Sequence, residues 1–257
     1  MAPLGQLEAR LRSEIGQRDR LAVAILRSLG AIRRLDNDQS QIFYLLYHDI
    51  PHRHLAAFRS GLAALSGTGR FLSWDEALSM LSGASPTSGP HFCLTFDDGH
   101  KSWVEVVLPV LTELAIPATF FVTTSWVGEQ AGPAALSWSD CDQLAAANMT
   151  IGSHTVTHRA LADLDERTAR GELRDSKREL EDRLGRDIVD LGAPYGKPGI
   201  TYLPERDVDL AIEEGYRSFV STVPGAMRPG DSPYQIRRLS IRPSWPPLAV
   251  LGRLHSR

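Results

Sequence analysis

From Gln41 onward, short apolar runs alternate with longer stretches whose apolar positions recur at helical spacing. Ile42–Tyr47 (IFYLLY) is short and dense in β-branched and aromatic residues, which predicts a buried strand. Phe92–Phe96, Ala118–Thr123, Met149–Ser153, Asp187–Ala193 and Arg217–Thr222 read the same way, and Gln235–Ile241 is a candidate seventh strand. Between them lie predicted helices. His54–Leu65 carries Leu55, Phe58, Leu62 and Leu65 along one stripe. A short helix opens after Ser73, an N-cap, and closes at Gly83; Ser85–Pro90 is a loop. Further helices cover Trp103–Leu114, a stretch capped by Ser137 or Ser139 and ending at Ala147, and Glu205–Glu214. Asp165–Gly185 is a long charged helix with Leu173, Leu180 and Leu184 inward and a Glu179/Arg183 pair outward.

Strands alternating with helices predict parallel βαβ units, in either a barrel or a doubly wound sheet. In both, ligands gather at the C-terminal strand ends. The chemistry-bearing residues lie there: His48 after the first strand, Asp97 and Asp98 after the second, His154 after the fourth, Tyr195 after the fifth.

The segment before this pattern differs. Residues 1–35 hold seven arginines against Glu8, Glu14 and Asp19, with leucines and isoleucines at helical spacing. We divide the chain into a basic amphipathic helical segment (1–40) and one α/β domain (41–257). The basic helix fits a cap on the domain, and also a weak peripheral contact with anionic lipid; liposome binding at low and high salt separates the two. Arg27 cuts the apolar run Leu21–Leu26 too short for a secretory core, so a cytoplasmic location is expected. No run approaches the roughly 18 apolar residues of a membrane span.

Charge and composition narrow the function classes. The 28 basic and 31 acidic side chains give a net charge of −3, so no nucleic-acid partner is expected. With 42% hydrophobic and 23% charged residues the chain is ordinary globular protein rather than disordered. The two cysteines, Cys93 and Cys141, build no disulfide scaffold. Oligomeric state is not readable.

Two motifs carry chemistry. Thr95–Gly99 (TFDDG) sets adjacent carboxylates at a strand end. Neighbours on a strand point to opposite faces, so the pair converges only through a local turn at Gly99, and a cation would relieve the repulsion. A helix N-cap is the plain alternative. In Ser153–His158 (SHTVTH) two histidines four apart can present both imidazoles to one side. One Asp and two His are the composition of a catalytic metal site with open positions; zinc is the first choice, with Co(II), Ni(II) and Fe(II) also suited.

With Ala193–Gly196 (APYG), these motifs stand in the order and spacing of the polysaccharide deacetylases, the NodB-homology family-4 carbohydrate esterases, which the chain resembles over residues 42–243. The resemblance implies a distorted, incomplete (β/α) barrel of about seven parallel strands. It implies Asp98, His154 and His158 as metal ligands and Asp97 as general base. It implies Pro194 and Tyr195 at the oxyanion, through the Tyr195 N–H, and hydrolysis of an N-acetyl group from an amino sugar. A metal lowers the pKa of water and polarises the amide carbonyl. An acid must also protonate the leaving amine.

Two positions depart from the family pattern. Gly192 stands where an arginine usually orients the base; Arg237, Arg238 or Arg242 are alternative sources of a guanidinium. The C-terminal Leu254-His255 lies on what reads as a frayed tail. The acid is therefore assigned to His48 in Tyr47-His48-Asp49, with Asp49 as its orienting carboxylate. That order resembles the deacetylases of poly-N-acetylglucosamine, whose acid histidine precedes the TFDDG segment. His100 lines the pocket or starts a helix, and His91 has a structural or exposed role. The expected substrate is an N-acetylated amino sugar: polymer, oligomer, or a nucleotide- or lipid-linked precursor. Alternatives are an amide or formyl hydrolase on another substrate, or a carbohydrate-binding homologue with impaired chemistry.

Overall fold

A computed structural model describes residues 40–84, 88–128, 132 and 134–254. The basic segment 1–39 and His255 lie outside these residues, and with them the helix expected at the N-terminus.

Eight strands form one sheet in which every paired strand runs parallel. They are β1 (Ser40–Tyr47), β2 (Arg70–Phe71), β3 (Gly89–Asp98), β4 (Ala118–Val122), β5 (Thr150–Ser153), β6 (Asp190–Gly192), β7 (Ser218–Val220) and β8 (Arg238–Ser240). Seven follow the order β7-β6-β5-β4-β3-β1-β8, and the two-residue β2 adds to β3. A parallel bridge between Val220 and Ile236 links the two ends of that path, so the sheet curls into the expected distorted barrel. Only β2 escaped the sequence pattern: two residues carry no periodicity.

The helices are α1 (Leu55–Ser66), α2 (Trp74–Leu81), α3 (Leu108–Leu114), α4 (Trp138–Ala146), α5 (Glu166–Leu184), α6 (Pro204–Glu213) and α7 (Pro247–Arg253). A π-helical turn, Trp103–Val107, precedes α3. The caps follow local chemistry. Ser73 and Ser137 each form a capping box, with Glu76 and Asp140. Asp165 accepts from the Thr168 N–H at the start of α5, and Gly185 closes that helix at φ 62°. Among the described residues no ion pair joins Glu179 to Arg183. The i,i+4 pairs of α5 are Glu166–Arg170 and Lys177–Glu181, and the Arg183 guanidinium lies 5.0 Å over the Trp138 ring.

One expectation is corrected. The chain end is no frayed tail up to Leu254: α7 buries Val250 and Leu251 in the main core alongside Leu62 and Leu65 of α1. Val250, Leu251 and Leu254, at helical spacing, bury enough apolar surface to order a short helix that lacks a side-chain cap. Of the two roles expected for His91, structural or exposed, its buried place within β3 fits the structural one. None of the described helices is long and apolar enough to cross a membrane.

The core divides at the sheet. Phe43, Leu45 and Tyr47 of β1 join Phe92, Leu94 and Phe96 of β3 in the larger cluster, packed with Phe58 and Leu62 of α1. Tyr44, Cys93 and Phe121 belong to the separate cluster built around Trp74. The strand period of two thus sorts side chains between the faces.

Candidate active site

Asp97 and Asp98 are the last two residues of β3, not the loop after it, paired in register with Phe121 and Val122 of β4. Their convergence comes from Asp98 itself, whose φ of 95° breaks the strand alternation before Gly99 at φ 137°. A left-handed backbone at a non-glycine residue is costly, by about 1–3 kcal/mol, and such outliers cluster at functional sites.

Asp97 is buried and faces Arg238 of β8. Both carboxylate oxygens accept from the guanidinium, Oδ1 from Nη1 and Oδ2 from Nη2, each at 2.6 Å. Nη1 also donates to Thr95 Oγ1 at 3.3 Å and Nε to the Ser221 carbonyl at 2.9 Å. Arg238 is 1% exposed and Asp97 2%, so this is a fully desolvated bidentate pair. Burial alone would raise the Asp97 carboxyl; the Arg238 guanidinium and His154 outweigh it and hold the group below the usual carboxylate value.

Gly192 explains why the guanidinium comes from β8. A Cβ there would sit 3.0 Å from Phe121 Cγ and 3.1 Å from His154 Nδ1. No side chain fits without moving one of them. The Gly192 carbonyl accepts from His154 Nδ1 at 2.7 Å. A carbonyl only accepts, so Nδ1 carries the proton and Nε2 presents a lone pair toward the carboxylates.

That lone pair lies 3.6 Å from Asp98 Oδ1 and 3.8 Å from Asp97 Oδ2, and His158 Nε2 lies 3.4 Å from Asp98 Oδ1. Ligand atoms of Asp98, His154 and His158 all fall within 4.8 Å of one another, so the three could hold one metal ion. Burial lowers the pKa of His154, against the pull of Asp97 and Asp98. Burial and then the neighbouring His154 lower that of His158. Neutral imidazoles are the form a metal takes. Burial pushes the Asp98 carboxyl up, but the hydrogen bond from His100 and the nearby histidines prevail and set it at about 2. His100 Nε2 lies 3.3 Å from Asp98 Oδ2, on the oxygen the other histidines leave free.

Tyr195 and Gly196 both take left-handed φ values, 61° and 63°. Thr222 secures this turn, its Oγ1 donating to the Tyr195 carbonyl at 2.7 Å and its N–H to the Gly196 carbonyl at 2.8 Å. A Cβ on Gly196 would come within 2.5 Å of the Thr222 nitrogen, so the close approach requires glycine. Pro194 is buried behind the turn. The Tyr195 N–H donates to no protein group among the described residues. Tyr195 is 52% exposed, its ring centroid 4.7 Å from that of His158; Trp126, 38% exposed, has its ring centroid 4.9 Å from that of His158. A cleft of about 530 Å³ opens over Asp98, Gly99, His100, Ser125 and Trp126.

His48 is exposed at the end of β1, near enough for its charge to bear on Asp97, Asp98 and His158. Asp49 does not orient it. The Asp49 carboxylate accepts from Ser102 Oγ at 2.7 Å, while the His48 carbonyl accepts from Trp103 Nε1 at 3.0 Å.

The structure therefore gathers Asp97, Asp98, His154, His158 and Tyr195 at one strand-end rim and places His48 within electrostatic reach. Arg238 was one of three candidates in the sequence. Its distinguishing signal is the face it shares with Ile236, opposite Leu239 and Ile241 of the main core. His100 as the Asp98 partner had no signal beyond adjacency.

Residues 84–217, just over half the chain, match the family model for polysaccharide deacetylase. The chain belongs to that family. The chitooligosaccharide deacetylase of Rhizobium leguminosarum bv. phaseoli is 30% identical over 112 residues, 43% of this chain and 46% of that protein. The chain spans about half the length of the curated relatives it matches. IcaB from Ammonifex degensii superposes with TM-score 0.72 at 25% identity, covering 84% of this chain and 98% of that one. The Streptococcus pyogenes deacetylase PplD, solved with acetate, superposes with TM-score 0.73 at 23% identity, covering 85% and 100%. PplD at that identity speaks for the shared polysaccharide-deacetylase fold.

Proposed function

We propose that this polysaccharide-deacetylase chain hydrolyses the N-acetyl group of an amino sugar. Asp97 acts as general base, Asp98, His154 and His158 hold a divalent metal, and His48 is the acid. The observation that carries the reading is a buried carboxylate kept ionised by Arg238, directly beside three converging ligand atoms. A purely structural ion pair has no need of that neighbour, and a binding module has no need of a base.

The donor set, two neutral imidazoles and one carboxylate, suits a divalent ion such as Zn²⁺. When bound, the metal would polarise the amide carbonyl and acidify water. The chain's own residues do the rest. Asp97 takes the proton from the attacking water, and Arg238 fixes both of its oxygens so that the carboxylate cannot swing away. The free Tyr195 N–H donates to the oxygen that becomes anionic. Tyr195 and Trp126 flank His158 with exposed rings that suit the apolar face of a sugar. His48 delivers a proton to the departing amine, without which an amide nitrogen does not leave.

Metal analysis of the purified chain followed by amine release tests this. One zinc per chain is expected. Chitooligosaccharides should release free amine, with activity lost on chelation and in His154→Ala. The panel includes UDP-linked N-acetyl sugars and N-formyl substrates. Release from formyl substrates alone would replace the N-acetyl assignment. Stoichiometric metal and full turnover in His154→Ala would overturn the ligand set.

A further inference from the structure

His154 and His158 are joined by only three residues, and that connection is bent. Thr155 and His158 take φ values of 67° and 57°, in the left-handed region. A hydrogen bond from the His158 N–H to Thr155 Oγ1, at 3.2 Å, closes the turn from within. From the side of α5, one side chain makes three bonds to it. Glu172 of α5 is 8% exposed. Its Oε2 accepts from the N–H groups of Val156 at 2.9 Å and Thr157 at 2.8 Å, and its Oε1 accepts from Thr157 Oγ1 at 2.6 Å. On the opposite side the Thr155 and Val156 carbonyls accept from the N–H groups of Thr124 and Ser125.

Successive N–H groups in a bent segment form a concavity that binds an anion, and the Glu172 carboxylate fills this one. Among the described residues no Lys, Arg or His forms an ion pair with Glu172. An apolar side chain would also pack α5 against the turn but would leave the Val156 and Thr157 N–H groups without this acceptor. What the carboxylate alone supplies is direction: three bonds that hold residues 156 and 157 in one conformation.

We infer that Glu172 is a positioning residue for the metal centre, acting through the Thr155–Thr157 turn to hold His158 in register with His154 and Asp98. The inference rests on the metal-site reading above. Outer-shell partners of this kind change metal affinity by about 10–100-fold when removed.

The test compares Glu172→Ala, Glu172→Gln and Asp165→Ala. Asp165 caps α5 through the Thr168 N–H, so its loss weakens the same helix without touching the turn. Zn²⁺ affinity is measured by competition with a chromophoric chelator, and the Co²⁺-loaded proteins by visible absorption. In the metal-free proteins, amide exchange is followed at Val156 and Thr157. Glu172→Ala should weaken Zn²⁺ binding about 10–100-fold, alter the Co²⁺ spectrum and speed both amides. Glu172→Gln keeps the shape and one acceptor oxygen and should fall between Ala and wild type. Asp165→Ala should lower the thermal midpoint and leave affinity and spectrum unchanged. Wild-type affinity and spectrum in folded Glu172→Ala, or in Glu172→Gln if the alanine variant does not fold, would overturn the inference and leave the deacetylase reading standing. No Zn²⁺ binding by the wild type would overturn both.

Discussion

Replacing Arg238 with methionine removes the guanidinium while keeping most of the side-chain volume. Four hydrogen bonds go with it, two of them to Asp97 at 2.6 Å. The larger effect is what stays behind: a carboxylate 2% exposed, with no cation beside it. Breaking a buried pair from one side costs about 3–5 kcal/mol. For a domain of this size that lowers the thermal midpoint by about 6–20 °C. The penalty must depend on pH. In the wild type Asp97 sits below its ordinary value, so its contribution is present above the unfolded-state pKa and fades as pH falls through the folded one. Without Arg238, burial is left as the largest influence and raises the carboxyl above its unfolded value. The variant then loses stability as pH rises through that raised value. The gap should be widest at neutrality, where the variant holds either a buried charge or an unwanted proton, and smallest in acid, below the lowered wild-type value. Urea unfolding at neutral and at acid pH measures the gap. The acid limb of the pH–rate profile should move upward as well, because a protonated Asp97 cannot accept from water. Equal unfolding midpoints at pH 7 together with an unmoved acid limb would refute the argument that Arg238 holds the base.

Asp97→Asn keeps the shape but cannot take a proton, so metal content should remain while turnover falls about 10²–10⁴-fold; metal loss would make Asp97 a ligand. His48→Ala should keep metal and fold and lose most amide hydrolysis, while activated esters, which need no leaving-group proton, survive better; equal loss on both substrates would remove His48 from the acid role. Gly192→Ala places a methyl 3.1 Å from His154 Nδ1 and 3.0 Å from Phe121 Cγ, so metal affinity should fall although residue 192 is no metal ligand. An unchanged zinc affinity in that variant would show that the His154 ring tolerates displacement.

The sequence by itself determined the elements and the roster. Strands announced themselves as short apolar runs because a parallel strand buried on both faces tolerates few polar side chains. Caps such as Ser73, and Ser137 as one of two candidates, were legible because capping is local chemistry. Asp97, Asp98, His154 and His158 were legible as candidates because the pairs DD and HxxxH sit at strand ends, where backbone geometry brings side chains to one rim, and Tyr195 through the family resemblance of its APYG segment. What only the tertiary structure decided lies between distant segments. Arg238 meets Asp97 across 141 residues because β8 pairs with β1, which pairs with β3. No spacing rule reaches that far. The tautomer of His154 depends on a carbonyl at Gly192, and the Asp49 carboxylate accepts from Ser102, a residue of a distant segment, rather than orienting its neighbour His48. Glu172, an unremarked charge on a charged helix, was indistinguishable in sequence from its solvated neighbours until α5 was laid against the histidine turn. Local propensity selects the elements; the direction of a buried charge is settled only by which donors the finished fold aims at it.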